Sequence, residues 1–375
     1  MKILYAIQGT GNGHISRARD IVPILSKLGE LDVLVSGIQA DVPLGFPIRY
    51  NFKGLSLIFG KKGGVDVMAT YREGNLRRLL EEINSLPVEQ YHLVISDFEP
   101  VSAWACYHKG KPCTGLSHQA AVLNKASPKP KKFDPIGRIV LKNYAPVTTQ
   151  YGFHFQSYGE GISTPVIRQQ IRSLEVGNDG HYTVYLPAYD DKRIIEALSG
   201  FKKAKWEVFS KKSRKPYGKG NVSIQPVDNE LFLKSLANAA GVFCGAGFET
   251  PAEVLFLGKK LMVVPMRGQY EQQCNAAALK EMGVPVIKSL KKKNWKKIGQ
   301  WLEEGEVPKV NYPDETEKIL KMLVDGHAEE ELLLPEGTAD NIPGLKTLKK
   351  LTLRKVLAQI AKDNIPFKPA GRKKQ

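Results

Sequence analysis

No stretch of this 375-residue sequence approaches the ~20 consecutive apolar residues that cross a bilayer, which excludes a membrane-spanning helix. Cysteine is scarce: Cys106, Cys113, Cys244 and Cys274 stand far apart, with no CxxC pair. That excludes a disulfide framework, and the four read as reduced, structural thiols of a cytoplasmic protein with no metal site. The opening "KILYAI" is strand-like and lacks the apolar core and small-residue cleavage site of a secretion signal, which again points to the cytoplasm. Two nucleotide fingerprints are missing as well. There is no GxGxxG after the first strand and no GK[ST] of a Walker A loop. The second strand-like run ends "VLVSG", without the acid that holds a nicotinamide ribose. Acidic residues are also short, 38 against 55 basic, for a formal charge of +17. Such an excess favours nucleic acid, anionic membranes or phosphate-bearing ligands. Basic clusters lie at Lys125–Lys132, Lys202–Lys219, Lys288–Lys297 and in the C-terminal "LKTLKKLTLRK". None comes with a nucleic-acid module or an aromatic platform, so no nucleic-acid partner is expected.

What is present is an ordinary globular composition, 42% hydrophobic and 25% charged, with length for two domains. Continuous apolar runs alternate with helical patterns. "KILYAI", "LDVLVSG", "YHLVISD" and "KPCTGLS" read as strands buried on both faces, and "SRARDIVPILSKLG" and "NLRRLLEEINSL" read as helices between them. "YGEGISTP" (158–165) reads as a linker. The alternation then restarts, from "HYTVYLP" through "NVSIQPV" and "GVFCGAG" to a last strand "VPVI". The expected class is α/β, with two tandem Rossmann-like doubly wound domains, 1–160 and 161–325, facing a cleft. Residues 326–375 are expected to be an irregular basic extension with one amphipathic helix, "GLKTLKKLTLRKVLAQIAKD". Open parallel sheets bind ligands beyond the carboxyl ends of their strands, so two facing sheets suit a transferase.

Two glycine clusters carry the chemistry. In "QGTGNGH" the glycines are Gly9, Gly11 and Gly13, followed by His14. One reading is a tight turn whose helix begins near Ser16, with His14 capping. The other is that Gly11, Asn12 and Gly13 clear room for an acceptor while His14 is its general base, a role imidazole suits near neutral pH. In the second cluster a strand ends at Gly245-Ala246-Gly247, and a helix starts at Thr250-Pro251-Ala252-Glu253. Free backbone N–H groups and the helix dipole make that junction a phosphate site. Glu253 either closes a capping box with Thr250 or accepts hydrogen bonds from ribose hydroxyls. Gln269, Gln272 and Gln273 share a helix face and Asn275 follows, as solvated amides or as sugar-hydroxyl binders.

The block Gly245–Gly283, with its GAG turn, TPAE helix start and Q-x₂-QQ-x-NA run, resembles the donor site of GT-B nucleotide-sugar glycosyltransferases. It is most similar to the group of the UDP-glucuronosyltransferases and the lipid II-forming N-acetylglucosaminyltransferase, whose Gly-rich turn with histidine "GTGNGH" also resembles. The resemblance spans roughly residues 1–325. It implies that Gly245, Ala246, Gly247 and Thr250 hold a diphosphate and that Glu253 binds ribose. Gln269, Gln272, Gln273 and Asn275 then lie near the donor sugar or phosphates. His14 would be the base, and Asp97 the carboxylate that orients it, with Glu99 an equal candidate. The implied reaction is metal-independent sugar transfer with inversion, from a UDP-sugar, with no cofactor beyond that co-substrate. The tryptophan-bearing box of the plant enzymes is absent, and Phe248-Glu249 replace small residues, which leaves sugar and nucleobase open. On the acceptor side, "SHQAAVLNKASPKPKKFDPIGRIVLKNYAP" is either a solvated loop with a core-facing helix or a surface for anionic lipid and a lipid-linked acceptor. The second reading makes the protein peripheral at the inner face of the membrane. His118 touches the acceptor or is a structural histidine. A nucleotide-sugar 2-epimerase, which needs acids and arginines not found in a matching arrangement, and a non-catalytic nucleotide-sugar or nucleic-acid binding protein are the alternatives.

Overall fold

The computed structural model describes residues 1–10, 12–37, 43–55, 76–131 and 134–333. Seven strands form a parallel sheet: β1 (Lys2–Gln8), β2 (Glu30–Ser36), β3 (Tyr50–Phe52), β4 (Leu93–Asp97), β5 (Thr114–Ser117), β6 (Thr149–Phe153) and β7 (Ile162–Ser163). Their order is β3-β2-β1-β4-β5-β6-β7. A second sheet holds β8 (His181–Tyr185), β9 (Lys205–Ser210), β10 (Tyr217–Lys219), β11 (Val222–Pro226), β12 (Gly241–Gly245) and β13 (Lys260–Val264). It runs β10-β11-β9-β8-β12-β13, and only the β10–β11 hairpin is antiparallel. The connecting helices are α1 (Asn12–Leu28), α2 (Leu76–Ser85), α3 (Pro100–Lys109), α4 (His118–Leu123), α5 (Pro135–Asn143) and α6 (Gln169–Arg172). They continue with α7 (Asp191–Leu198), α8 (Asn229–Asn238), α9 (Glu249–Phe256), α10 (Tyr270–Glu281), α11 (Trp295–Glu304) and α12 (Thr316–Leu333).

The apolar runs become central strands because both faces of each sheet are covered. Ile3 through Ile7 are all fully buried, as the continuous run requires. α1 buries Ile15, Ala18, Ile21, Val22 and Leu25, one stripe at helical spacing. Chain order reverses on either side of β1 and of β8, and each reversal opens a crevice at the carboxyl ends of the strands there. The first crevice lies between β1 and β4, where Ile7 pairs with Asp97. The second lies between β8 and β12, next to Gly245.

Four local expectations differ from the structure. The "YGEGISTP" stretch carries β7, which pairs with β6 as the edge of the first sheet. A two-residue edge strand leaves no periodicity to read. "VPVI" makes only a single bridge, Val263 to Val286, and the hairpin strand β10 was not foreseen. From Gly326 to Leu333 the chain is helical rather than irregular, because α12 runs through that glycine to Leu333 and packs on α1. Burial of Leu320, Leu323 and Val324 outweighs the ~1 kcal/mol that a mid-helix glycine costs. The basic amphipathic helix expected over 344–363 lies outside the described residues. No described helix is long and apolar enough to cross a membrane.

Candidate active site

β1 delivers the chain into the first crevice. Gly9 donates to the Ser36 carbonyl at 2.6 Å, and a Cβ there would press within 3.0 Å of that oxygen and of Val35. α1 begins at Asn12, four residues before the expected start, so His14 stands inside its first turn and is not a cap. His14 Nδ1 donates to Asp97 Oδ1 at 2.8 Å. Asp97 is fully buried, and Arg17 Nη2 donates to both of its oxygens at 2.7 and 2.8 Å. Burial works to raise the Asp97 carboxyl, but Arg17 and His14 outweigh it and hold the group below its ordinary range. An ionised carboxylate only accepts hydrogen bonds, which puts the imidazole proton on Nδ1 and leaves the Nε2 lone pair free of a proton. Nε2 lies 3.4 Å from the Gln119 amide nitrogen, which also donates to Glu271 at 3.1 Å. Gln119 Oε1 is buried without a partner, and the side chain lines a small cavity with Ser96, Phe98, Ser117, Leu141 and Gln150.

The two acids at the end of β4 part company at Phe98, a non-glycine residue with φ of 55°. Before that turn Asp97 faces α1. After it, Glu99 caps α3, accepting from the backbone of Val101 and Ser102 at 2.7 and 2.6 Å. Glu99 is therefore a helix cap and takes no part in the histidine pair.

Across the cleft, the turn Gly245-Ala246-Gly247 leads into α9. A Cβ on Gly247 would meet nothing within 4 Å, and one on Gly245 only Gln272 Oε1 at 3.9 Å. These glycines provide clearance, since neither needs a left-handed backbone. The capping box does not form. α9 starts at Glu249 with Phe248 as an N-cap that lends no side-chain bond, which places Thr250 inside the helix. Glu253 is 3% exposed and pairs instead with Arg168 Nε at 2.5 Å. Gln272 accepts from the Met266 backbone at 2.9 Å, while Gln269 precedes α10 as its N-cap residue and Gln273 lies half-buried in the first turn. Asn275 is fully buried; it donates to the Ala246 carbonyl at 3.2 Å, and its Oδ1 lies 2.7 Å from His118 Nε2. His118 in turn holds the Phe153 carbonyl at 2.7 Å through Nδ1 and stacks on Phe248 at 3.8 Å. It thus ties α4 to the Gly245–Gly247 turn. Gly11 lies outside the described residues. Asn12 opens α1, and a Cβ on Gly13 would come within 3.0 Å of Glu249 Cγ, so the clearance of Gly13 is taken up by α9.

Three residues escaped the sequence reading. Arg17, 1% exposed, bonds Glu249 through Nη1 as well as Asp97. Its position three after His14 places both on one helix face, which was the available signal. Glu249 was noted only as a departure from small residues. Burial pushes its carboxyl up to about 7, with Glu253 and Asp97 adding to the rise and Arg17 and His14 opposing it. Gln119 left no sequence signal, since only the packing of α4 on β6 brings it to His14. In the basic loop, Lys129 is spent on three carbonyls, those of Val122, Asn124 and Ser127, at 2.7 to 2.9 Å, while Lys125 and Lys131 are exposed. Among the described residues no cluster of His, Cys, Asp and Glu has the makings of a metal site.

Comparison with known proteins agrees with this architecture. The family model for glycosyl transferase family 1 matches residues 1–305. No curated protein sequence matches the chain. Among solved structures, Phytolacca americana UGT2, complexed with UDP-2-fluoro-glucose and pterostilbene, superimposes with a TM-score of 0.54 at 12% identity over 93% of this chain and 99% of that one. Arabidopsis thaliana UGT89C1 with UDP-L-rhamnose gives 0.53 at 11% identity over 96% and 98%. The Streptomyces sp. SF2575 glycosyltransferase SsfS6 with thymidine diphosphate gives 0.51 at 14% identity over 88% and 96%. At such identities the likeness shows the fold. With two parallel sheets, two crevices and a family match over most of its length, the chain belongs to glycosyl transferase family 1 and is a nucleotide-sugar glycosyltransferase of the GT-B fold.

Proposed function

We propose that this enzyme passes the sugar of a uridine diphosphate sugar to a hydroxyl acceptor with inversion, with His14 as general base. The observation that carries the reading is the 2.8 Å bond between His14 Nδ1 and Asp97, in a first helical turn that meets α9 across the cleft. His14 Nε2 takes the acceptor's hydroxyl proton as that oxygen bonds to the anomeric carbon. The bond from this carbon to the diphosphate oxygen breaks, and its electron pair leaves with the nucleotide. Attack from the face opposite the leaving group inverts the centre. The departing charge moves toward Gly245–Gly247 and the N-terminus of α9, where backbone N–H groups and the helix dipole offset it.

In this reading residues 1–160 take the acceptor and residues 161–325 the donor, with no cofactor beyond the nucleotide sugar and no metal ion called on. Glu253 serves the ribose through the oxygen that Arg168 leaves. The Gln269, Gln272 and Gln273 amides serve the sugar and phosphates. Uridine is favoured because two of the similar structures hold UDP-sugars, although SsfS6 holds thymidine diphosphate. A narrower form of the proposal has a lipid-linked acceptor met at the cytoplasmic face of an anionic membrane, in keeping with the basic charge.

Thermal-shift screening of UDP-, dTDP- and GDP-sugars identifies the donor, and NMR of the product reads its anomeric configuration. His14→Ala is expected to lower turnover by ~10²–10⁴ while leaving donor affinity intact. Wild-type turnover in that variant, or a retained configuration, overturns the mechanism.

A further inference from the structure

The reaction above makes no use of Arg17, yet burying a guanidinium is costly unless every charge nearby is matched. Arg17 sits between two carboxylates from different halves, Asp97 on β4 and Glu249 on α9, with Nη2 3.2 Å from His14 Nδ1. Counting charges shows what the second carboxylate does. With Asp97 and Arg17 alone the set is neutral, and a proton arriving on His14 leaves a net positive charge in a buried site. With ionised Glu249 added the set starts at one negative charge, and the same proton neutralises it; burial pushes that carboxyl up to about 7, so this charge is fully present only above neutral pH. Only the second case favours proton uptake from an acceptor. Neither of the other acids touches Arg17 or His14: Glu253 is paired with Arg168, and Glu271 is held off His14 by the Gln119 amide, while Tyr5 donates its hydroxyl to Asp97 at 3.3 Å and adds no charge.

We propose that Arg17 and Glu249 are positioning residues that couple closure of the cleft to the competence of the base, the donor half bringing Glu249 in as the counter-charge His14 needs. This rests on His14 being the base. Geometry supports the coupling beyond the ion pair itself. Gly13 has no side chain where Glu249 Cγ approaches, so α9 reaches the first turn of α1 directly. Gln119 to Glu271 and His118 to Asn275 cross the same cleft beside it, and they hold the two halves in the register that the ion pair needs.

The test uses the full-length enzyme with UDP as the binding probe. Glu249→Gln should keep UDP affinity within about threefold and lower turnover at about pH 8, where Glu249 is ionised, by about tenfold or more. Arg17→Met combined with Glu249→Gln returns the set to one negative charge, so the double variant should turn over faster than Glu249→Gln alone. A structural role for either residue predicts the reverse, because two losses of packing do not rescue one. Nitrogen-15 NMR of the His14 ring gives a readout independent of turnover: its titration should move in Glu249→Gln and move back in the double variant. Unchanged turnover and an unchanged His14 titration in Glu249→Gln overturn the coupling, as does a double variant slower than the single one. If the NMR shift occurs but His14→Ala retains activity, the base assignment has failed while the charge coupling stands.

Discussion

Glu249 is held at a cost. Its carboxyl is raised from 4.5 to about 7, because burial and the charges of Glu253 and Asp97 favour the protonated form more than Arg17 and His14 oppose it. For an acid whose folded-state pKa is raised, the folded state binds more protons than the unfolded one between the two values. Stability therefore falls as pH rises through that window and is level above it. Glu249→Gln mimics the protonated form and escapes the loss. The thermal midpoint of that variant relative to wild type should thus improve between about pH 5 and about pH 8, as read by calorimetry at matched ionic strength. A constant difference across that range would mean that Glu249 does not titrate there. Asp97 behaves in the opposite sense: Arg17 and His14 keep it ionised, and what it contributes is lost only when pH falls below the ordinary carboxylate range. At this scale the sequence was legible where a residue's neighbours were local. His14 and Asp97 were both named from it, but the choice between Asp97 and Glu99 was not available. That choice depended on the left-handed turn at Phe98, which points the two acids to different helices.

Helix starts decide how the site is assembled. Sequence spacing supports a capping box at Thr250–Glu253, yet α9 begins earlier and the carboxylate goes to Arg168. A charged partner in the same buried space wins over a cap worth about 1 kcal/mol. α4 is placed with equal economy, because it lies directly on β6 at Gly152. A Cβ at Gly152 would come within 2.7 Å of the Ala121 backbone nitrogen and 2.9 Å of its Cα, atoms that cannot swing aside. Gly152→Ala should therefore push α4 off the sheet and cost roughly 1–3 kcal/mol or more by overpacking. Since α4 carries His118 and Gln119, transfer should fall more than UDP binding does. The comparison of denaturant midpoint, UDP affinity and turnover checks this. Full activity with unchanged stability would show that α4 is not seated as described.

At the scale of the molecule, the chain closes on itself: α12 returns from the second half to pack on α1, the helix that carries His14 and Arg17. Of the basic excess behind the charge of +17, the described part is concentrated in exposed lysines of the Lys202–Lys219 and Lys288–Lys297 stretches, where it forms a field around the second half rather than one site. Such a field acts over about 10 Å at ordinary salt. The protein should therefore sediment with anionic vesicles in preference to neutral ones, and the preference should fade as salt rises. Equal sedimentation with both kinds would remove the membrane from the proposed function.

Two halves, their alternating strands and helices, and both glycine turns were determined by the sequence itself. Each rests on local causes: two-sided apolar runs, helical periodicity, and glycine where backbone must be approached. The histidine and the glycines before α9 could be noticed for the same reason. Only the tertiary structure decided which side chains meet. Arg17 and Glu249 lie more than two hundred positions apart, as do no two residues that a helix or a turn brings together, and Gln119 reaches His14 through the order of β1, β4, β5 and β6 in the sheet and the packing of α4 on β6. Burial then turns these meetings into chemistry, since charges that water would screen at the surface must here be balanced one against another.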